Sequence, residues 1–385
     1  MDGQWTSKFF RPAHATIDLE ALAQNYREIQ RLVGVDVGVM AMVKADAYGH
    51  GAVPVSRKLV ACGVTTLGVA TVEEGLELRQ VGIETPIVVM GGLMGMGTAA
   101  CGVMVGARLT PVIHSANVLE QLELVAASQN TKVGVHLKID TGMSRLGMRM
   151  EALPHVLATL TRCPHLAACG VMTHFAKAAD DAVTAAQLEE FSRAKQLIEN
   201  ALGRVPLWHT ANSMAILKGN FRVADAARCW VRPGILLYGG MDPALMASKG
   251  KFRPVMRLES KVALIKHVPA GTRVSYECLF TTARPSRIGV IPIGYADGYP
   301  LALSNKGHVL VAGRRVPVVG RVTMDMIMID LTDVAAAVVG DPVVMVGRQG
   351  NEEITAAELA AAAGTISYEI LTGVSVRMPR VYKDT

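Results

Sequence analysis

Short apolar runs, many of them rich in β-branched residues, alternate with stretches of helical spacing over the first two-thirds of the chain. The helical stretches include Asp18–Val33, Ser115–Ser128 and Asp180–Leu202, in which apolar residues recur every three or four positions. Near-continuous apolar strands that alternate with helices are typical of a parallel sheet with both faces covered. Eight strands are predicted, near Gly38–Lys44, Thr65–Thr71, Pro86–Gly91, Leu109–His114, Val133–Asp140, Ala168–His174, Val205–Thr210 and Val231–Leu237.

This alternation favours a closed barrel over an open sheet. Eight strand–helix units match a (β/α)8 barrel of the TIM type. The competing architecture is a doubly wound sheet, which usually carries a glycine-rich turn after its first strand, and the sequence has no G-x-G-x-x-G at that place. We therefore expect an α/β fold in which residues 12–245 form the barrel.

The pattern changes after about residue 245, where short strands follow one another. Turn signals such as Pro269–Gly271 and Gly340–Pro342 separate them, and one alanine-rich helix over Thr355–Ala363 interrupts them. The strands are predicted at Arg257–Val268, Ile288–Ile293, His308–Gly313, Arg314–Val322, Ile327–Leu331 and Pro342–Gly347. This pattern predicts a mostly β C-terminal domain over residues 246–385, with which residues 1–11 are expected to associate.

Composition narrows the class of protein. Of the 385 residues, 50% are hydrophobic and 19% are charged, which excludes a disordered chain and a coiled coil. The 39 basic residues exceed the 33 acidic ones by only 6 and are dispersed, so we expect no nucleic-acid partner. The cysteines form no C-x-x-C pair, the histidines form no H-x-H or H-E-x-x-H pair, and the N-terminus lacks a signal-peptide pattern. We therefore expect a cytoplasmic protein with reduced cysteines and no metal site.

One apolar stretch raises the question of a membrane span. Pro86–Ala107 contains no charged residue and is long enough to cross a bilayer. It also contains six glycines and a turn-like Met-Gly-Gly near its start. We interpret the stretch as a buried strand followed by a helix, and we expect no association with a membrane.

The segment Val43–Gly51 reads V-K-A-D-A-Y-G-H-G and places Lys44 at the C-terminal end of the first predicted strand. The catalytic groups of a barrel enzyme lie at this end of the strands. Burial lowers the pKa of an amine and thereby makes it a better nucleophile at neutral pH. A surface lysine at a strand end is the alternative, and the chemistry of the residue alone leaves both interpretations open.

The same segment resembles the pyridoxal-phosphate lysine motif of the alanine racemases, which have fold type III. Further segments resemble the later motifs of that family in the same order, so the resemblance covers essentially the whole chain. These segments are His136–Gly147, Thr173–Ala176, Ala211–Ser213, Val231–Gly239, Val274–Tyr276, Ile293–Gly298, Gly320–Asp325 and Ser367–Glu369. A single such motif has little specificity, whereas this ordered set is specific.

The resemblance implies that pyridoxal 5'-phosphate is the cofactor and that Lys44 holds it. It also implies that Arg232 hydrogen-bonds the pyridine nitrogen, where most enzymes that use this cofactor place an acid. Because arginine stays protonated, the ring nitrogen is expected to remain neutral, which would favour racemisation over transamination. The residues implied around the phosphate are Tyr48, Ser213, Gly234, Ile235 and Tyr368. An ordinary N-cap at Ser213 and ordinary core packing of the two tyrosines remain the alternatives.

A racemase that works by proton transfer needs one base on each face of its substrate. The resemblance implies that Lys44 takes the proton from D-alanine. It implies that Tyr276 of the partner subunit takes the proton from L-alanine, with His174 as the hydrogen-bond partner of this tyrosine. The chain is accordingly expected to form a homodimer whose active sites are completed across the interface.

The implied substrate is a small amino acid. Arg145 is implied to bind its carboxylate through the planar guanidinium group. Lys138 matches a lysine that is carbamylated in many family members and that orients this arginine, and Met324 of the partner subunit matches a second carboxylate contact. The expected activity is the interconversion of L-alanine and D-alanine, which would supply D-alanine for peptidoglycan. A racemase that acts on serine or on a wider range of amino acids is the alternative.

Two positions depart from the family pattern. Glu277 follows Tyr276 where glycine is usual, and Asp180 lies one residue farther from His174 than usual. Two other protein classes also remain as alternatives. A pyridoxal-dependent decarboxylase of the same fold would carry a catalytic cysteine in its second domain, and Cys278 lacks the expected surroundings. A single-barrel carrier of the cofactor would lack the second domain altogether.

Overall fold

The computed structural model describes residues 10–93, 97–226 and 228–384. Eight parallel strands form a closed barrel in which each strand pairs with the next along the chain and the last pairs with the first. The chain begins with β1 (His14–Asp18), and the barrel strands are β2 (Val37–Met42), β3 (Thr66–Val69), β4 (Ile87–Val89), β5 (Leu109–Ile113), β6 (Val133–Lys138), β7 (Leu166–Met172), β8 (Trp208–His209) and β9 (Cys229–Val231). This architecture confirms the predicted barrel.

Helices surround the barrel, and several begin where the sequence supplies a cap. Asp18 accepts a hydrogen bond from Ala21 N (2.7 Å), and Asp180 accepts one from Ala182 N (3.1 Å). The sequence predicted helices that begin at Asp18, Ser115 and Asp180. In the structure these three residues are N-caps with an extended backbone, so each helix begins one residue later. The helices are α1 (Leu19–Val33), α2 (Lys44–Gly49), α3 (Ala52–Ala61), α4 (Val72–Gln80), α5 (Gly97–Gly106), α6 (Ala116–Ser128), α7 (Leu153–Thr161), α8 (Asp181–Leu202), α9 (Ser213–Lys218) and α10 (Pro243–Ala247).

The last barrel strand is shorter than predicted and lies earlier in the chain. The sequence placed it at Val231–Leu237, whereas β9 ends at Val231. Pro233 has no N–H group to donate to a neighbouring strand. Beyond it the chain turns, with Leu237 N donating to Gly234 O (2.9 Å). The predicted extent was therefore wrong, and the residues after Arg232 form a turn at the barrel mouth.

The second domain consists mainly of β-strands, as predicted. One sheet has seven strands in the order β16-β15-β18-β10-β1-β20 with β19 paired to β18, and smaller sheets join β11-β14-β17 and β12-β13. These strands are β10 (Met256–Lys261), β11 (Leu264–Val268), β12 (Arg273–Val274), β13 (Phe280–Thr281), β14 (Ser286–Ile291), β15 (His308–Val311), β16 (Arg314–Pro317), β17 (Ile327–Asp330), β18 (Pro342–Gln349), β19 (Glu352–Ile354) and β20 (Arg380–Lys383), with helices α11 (Ala356–Ala363) and α12 (Ser367–Thr372). The single strand predicted at Arg257–Val268 is divided into β10 and β11, which belong to different sheets.

The strand β1 belongs to the seven-stranded sheet of the second domain rather than to the barrel. It pairs with β10 in antiparallel fashion, with His14 opposite Glu259, and with β20 in parallel. The boundary expected at residue 12 assigned this strand to the barrel. Of the residues expected to associate with the second domain, residues 1–9 lie outside the described residues, and Arg11 Nη1 donates to Asp297 Oδ2 of that domain (3.0 Å).

The uncharged stretch Pro86–Ala107 contains β4 and α5, although Met94–Met96 lie outside the described residues. The helix α5 has only 10 residues. Within the described part of the chain, no helix combines the length and the apolarity that crossing a bilayer requires.

Candidate active site

Lys44 begins a left-handed turn at the C-terminal end of the first barrel strand. The residues Ala45, Asp46, Ala47 and Tyr48 have φ angles between 51° and 56°, which places four successive side-chain-bearing residues in the left-handed region. This backbone costs an L-residue roughly 1–2 kcal/mol. The turn is closed by a hydrogen bond from Ala47 N to Val43 O (2.9 Å). A strained backbone directly after the predicted catalytic lysine indicates that the surrounding structure holds it in place.

The surroundings of Lys44 favour its neutral amine. Burial lowers the pKa of Lys44, the charges of Arg145 and Arg232 lower it further, and the Glu74 carboxylate opposes them. Lys138, at the end of β6, is similarly affected, because burial and the same two arginines lower its pKa to about 8. The barrel mouth therefore brings together four basic side chains that the sequence predicted to act together.

Arg232 is buried, and its guanidinium donates mainly to backbone carbonyls. It donates to the carbonyl oxygens of His209 (2.7 Å), Thr173 (2.7 Å) and Thr210 (2.9 Å). Burial lowers the pKa of Arg232 to about 9, so the group stays protonated at neutral pH. A buried cation held at fixed positions by several acceptors can present the same donor to a ligand without reorganisation.

Two buried histidines, which the sequence did not indicate as site residues, form a series of close polar contacts that starts at Arg232. The guanidinium Nη1 lies 3.0 Å from His209 Nδ1, and His209 Nε2 lies 2.8 Å from His136 Nδ1. Burial lowers the pKa of both histidines, that of His136 to about 4, so both are neutral. The available signal was a histidine at the end of the apolar run Val205–Thr210, which is weak because isolated histidines also occur in protein cores.

His174 lies on the other side of the same guanidinium. Its Nδ1 is 3.4 Å from Arg232 Nη2. Burial, followed by the charges of Arg232 and Lys138, lowers the pKa of His174 to about 3. His174 is thus a neutral imidazole, which can donate one hydrogen bond and accept another.

A cradle of hydroxyl and backbone donors lies beside the lysine turn. Ser213 Oγ accepts hydrogen bonds from Gly234 N (3.0 Å) and Leu236 N (3.2 Å), which leaves its own O–H group to donate. A Cβ atom at Gly234 would lie 2.0 Å from Tyr48 Oη, so only glycine admits the phenol there. The described residues provide no hydrogen-bond acceptor for the Ile235 N–H. Such a set of neutral donors suits an anionic group such as a phosphate.

Tyr368 reaches this cradle from the second domain of the same chain. Its ring centroid lies 6.1 Å from that of Tyr48. The helix α12 that carries it packs against the lysine turn, since a Cβ atom at Gly49 would lie 2.2 Å from Leu371 O. Burial raises the pKa of the phenols of Tyr48 and Tyr368, so both are protonated donors.

Arg145 lies in the loop after β6. Asp140 Oδ1 organises this loop by accepting hydrogen bonds from Gly142 N (3.1 Å) and Ser144 N (2.9 Å). The Arg145 side chain is exposed, and its charge lowers the pKa of both Lys44 and Lys138. The structure thus places the predicted carboxylate-binding arginine near enough for its charge to act on the predicted catalytic lysine.

Tyr276 and Met324 lie on the surface of the second domain, with 69% and 52% of their areas exposed. Among the described residues, the loop around Tyr276 makes its hydrogen bonds to that domain, for example from Ser275 Oγ to Arg321 O (2.7 Å). A single chain therefore does not bury Tyr276 and Met324 in its own barrel mouth.

The structure explains why glycine is usual after the predicted catalytic tyrosine. Glu277 has a φ angle of 60°, and Ser275 and Cys278 on either side of Tyr276–Glu277 also have positive φ angles. Glycine adopts this backbone at little cost, whereas glutamate does not. The Glu277 carboxylate lies 3.7 Å from Arg321 Nη1. The substitution therefore strains the loop but leaves the carboxylate paired with a cation.

Within the described part of the chain, no group of three or more His, Cys, Asp or Glu side chains is arranged to hold a metal ion.

Comparison with known proteins points to one family. Residues 17–242 match the family model of the alanine racemase N-terminal domain, and residues 255–382 match that of the alanine racemase C-terminal domain. An alanine racemase from Halothermothrix orenii is 39% identical over 376 residues, which cover 97% of this chain and 97% of that protein.

Solved structures show the same similarity. The alanine racemase from Bacillus anthracis with bound L-Ala-P has a TM-score of 0.89 at 34% identity and covers 98% of this chain and 96% of its own. The alanine racemase from Bartonella henselae with covalently bound pyridoxal phosphate has a TM-score of 0.83 at 31% identity and covers 97% of this chain and 99% of its own. The similarity thus extends over both the barrel and the second domain.

Proposed function

The chain belongs to the alanine racemase family, and from this premise we propose that it interconverts L-alanine and D-alanine with pyridoxal 5'-phosphate as its cofactor. The observation that carries the proposal is the barrel mouth, where the charges of Arg145 and Arg232 act on Lys44 and a cradle of neutral donors lies beside the lysine turn. A half-buried amine, a buried cation and a phosphate-like site in one barrel mouth match the requirements of this chemistry.

The residues of the barrel mouth fit pyridoxal phosphate. Lys44 would hold it, Arg232 would donate to its ring nitrogen, and its phosphate would lie among Tyr48, Ser213, Gly234, Ile235 and Tyr368. The absence of a side chain at Gly234 lets the Tyr48 hydroxyl lie against this backbone, which supports the arrangement. When bound, the cofactor would accept the electron pair left on the substrate carbon after a proton is removed.

The proton transfers fall to two side chains from different subunits. The Lys44 amine would take the proton from the Cα of D-alanine, and its lowered pKa favours the neutral form that this role needs. On the opposite face, Tyr276 of the partner subunit would take the proton from the Cα of L-alanine. The neutral His174 imidazole would hydrogen-bond this tyrosine, and Arg232 would hold that imidazole in place.

The substrate carboxylate would be bound from both subunits. Arg145 would bind it through two parallel N–H groups, and Met324 of the partner subunit would supply a second contact. We further propose that Lys138 is carbamylated. Its pKa of about 8 leaves a fraction of neutral amine to react with carbon dioxide near neutral pH. The resulting negative charge would balance Arg145 and Arg232 and would orient the arginine.

The exposed surface around Tyr276 supports a homodimer. Large side chains of this domain that an isolated chain leaves 42–69% exposed are available for a partner to cover. They are Tyr276, Leu279, Tyr295, Leu301, Met324 and Met326. We propose that this face covers the barrel mouth of the partner, so that each site is formed by the barrel and Tyr368 of one chain together with Tyr276 and Met324 of the partner subunit. The proposed cellular role is to supply D-alanine for peptidoglycan in the cytoplasm.

Purified protein supplied with pyridoxal phosphate and L-alanine tests the activity. D-alanine should form until the two enantiomers are equal in concentration, as followed by chiral chromatography. L-serine in a parallel incubation measures the breadth of the specificity. Absence of D-alanine would overturn the proposal, and cofactor that is attached to a lysine other than Lys44 would overturn the assignment of the site.

A further inference from the structure

Glu74 joins the lysine turn to the next strand–helix unit of the barrel. Its Oε1 accepts a hydrogen bond from Ala45 N (2.7 Å), the amide that directly follows Lys44. Its Oε2 accepts hydrogen bonds from Ala70 N (2.6 Å) and Thr71 N (3.3 Å) at the end of β3. Both carboxylate oxygens are therefore occupied by backbone N–H groups from two neighbouring units.

This use of Glu74 goes beyond capping a helix. Thr71 and Glu74 form a capping box at the start of α4, and that motif accounts for the bonds to Thr71 N and from Glu74 N to Thr71 Oγ1. The bond to Ala45 N, 29 residues away along the chain, is not part of the motif. It anchors the first residue of the strained left-handed turn through a charge-assisted hydrogen bond, which is roughly twice as strong as a neutral one.

The same carboxylate is the acidic group that faces the lysine. Arg145 from the loop after β6 and Arg232 from the end of β9 lower the pKa of Lys44, and Glu74 raises it. Lys138 and His174 complete the charged and titratable surroundings, since the charge of Lys44 lowers the pKa of each of them. Removal of the Glu74 charge would leave the charges of Arg145 and Arg232 on Lys44 less opposed.

We propose that Glu74 is a positioning residue for Lys44: its carboxylate, bonded to the amide that follows the lysine, holds the left-handed turn that begins at Ala45 and places a negative charge beside the lysine. The inference rests on the proposed role of Lys44 as the cofactor lysine. Glu74 itself touches neither substrate nor cofactor in this role.

The test uses Glu74→Gln in the full-length chain, freed of cofactor with hydroxylamine. Pyridoxal phosphate is added over a range of pH values, the product is reduced with borohydride, and the rate of attachment at Lys44 is read by peptide mass spectrometry. The pH at which the rate is half-maximal should fall by about half a unit or more, because loss of a nearby negative charge disfavours the ammonium form. Hydrogen–deuterium exchange of the amides in 45–49 should become at least about tenfold faster as the anchored bond is lost.

Three matched variants separate the possible causes. Glu73→Gln removes an exposed charge one residue earlier on the same helix and should change neither measurement. Thr71→Ala weakens the cap of α4 but keeps the Glu74 charge, so the pH of half-maximal attachment should stay that of the wild type. Glu74→Asp keeps the charge on a shorter side chain and should restore that pH more fully than it restores the slow exchange.

The outcomes distinguish this inference from the proposed function. If the wild-type chain attaches the cofactor at Lys44 and Glu74→Gln leaves either the half-maximal pH or the amide exchange of 45–49 unchanged, the inference is overturned. If Thr71→Ala shifts the half-maximal pH as much as Glu74→Gln does, loss of the cap explains the effect and the inference is again overturned. Attachment of the cofactor elsewhere in the wild-type chain would instead count against the proposed function.

Discussion

The mouth of the barrel and the loop that carries Tyr276 differ in how far a single chain organises them. At the mouth, Arg232 is buried and donates to three backbone carbonyls, and Glu74 anchors the turn after Lys44. The Tyr276 loop is exposed, and positive φ angles flank the tyrosine. One region is complete within its own chain, whereas the other presents its functional side chain outwards.

This difference shows where each part of the proposed chemistry is prepared. Buried charges and fixed hydrogen bonds set the ionisation of the basic groups at the mouth before any partner arrives. The tyrosine depends on a second subunit to be desolvated and placed. The two regions should therefore respond differently to mutation: changes at the loop should affect catalysis and leave cofactor binding intact.

Tyr276→Phe should show the largest effect, because it removes an acid–base group and leaves the barrel mouth unchanged. Racemisation is expected to fall by about 10²–10⁴-fold, while the absorbance of bound pyridoxal phosphate stays that of the wild type. D-alanine formation from L-alanine measures the first quantity and spectroscopy the second. Loss of the cofactor in this variant would show that the barrel mouth is not complete without the tyrosine, which would break the comparison.

Mixed dimers of Lys44→Ala and Tyr276→Phe chains should recover part of the activity, although each variant alone is inactive. In a mixed dimer the intact Lys44 of one chain meets the intact Tyr276 of the other, so one of the two sites is restored. Random mixing of equal amounts should give about a quarter of the wild-type activity. A mixture of the Tyr276→Phe chain with a chain that carries both substitutions is the control and should stay inactive. Recovery in that control, or none in the test mixture, would contradict a site shared between subunits.

Local patterns predicted the barrel because its strands are apolar and short, and its helices have caps in the sequence. They also placed Lys44, since a lysine at a strand end within a contiguous motif is visible without any structure. The same patterns failed at β1, which pairs with β10 and β20 from the far end of the chain. Strand pairing over such distances depends on contacts that no sequence window contains.

The residues of the site that the sequence missed have ordinary local explanations. Glu74 belongs to a capping box, so nothing in its neighbourhood signals the bond to Ala45 N. His136 and His209 are single histidines in apolar runs, and only the closed barrel brings His136 Nδ1 to 2.8 Å from His209 Nε2. The sequence also missed two strands of the second domain. Strands β12 and β13 have two residues each, which is too short for an alternating pattern to be recognised.

Glu277→Gly should relieve the backbone strain in the loop that carries Tyr276, which Glu74 does not anchor. The left-handed backbone at Glu277 costs a residue with a side chain about 1–2 kcal/mol, and the greater freedom of glycine in the unfolded chain offsets part of this. The free energy of unfolding should therefore rise by about 0.5–1 kcal/mol. Urea denaturation measures it.

Glu277→Gln is the matched variant, because it keeps the strained backbone and removes only the charge. Its free energy of unfolding should equal that of the wild type, since an exposed ion pair at 3.7 Å contributes little. If this variant were stabilised as much as Glu277→Gly, the gain would come from loss of the charge rather than from relief of backbone strain.

His14→Gln should have the smallest effect, because His14 lies on β1, away from both regions, where the chain leads from the second domain's sheet into the barrel. His14 Nε2 lies 3.4 Å from Glu259 across the β1–β10 pair. The hydrogen bond to Glu259 raises the pKa of His14 from its ordinary 6.5, and the bond to His14 is the main cause that lowers the pKa of Glu259 to about 2. The contribution of His14 to the free energy of unfolding is thus complete below pH 6.5 and is lost as the pH rises through the raised pKa of His14. The Glu259 contribution is present above its ordinary 4.5 and is lost as the pH falls through about 2.

The stabilisation by this pair is therefore greatest between the two ordinary values, 4.5 and 6.5. Because the pair is partly exposed, His14→Gln should lower the free energy of unfolding by at most about 1 kcal/mol at a pH inside that window. At alkaline pH, where His14 is neutral in the folded wild type, the two proteins should unfold at the same urea concentration. An equal loss at both pH values would mean that the histidine acts through packing on β1, and that the strand leading into the barrel is joined to the second sheet without help from this charge.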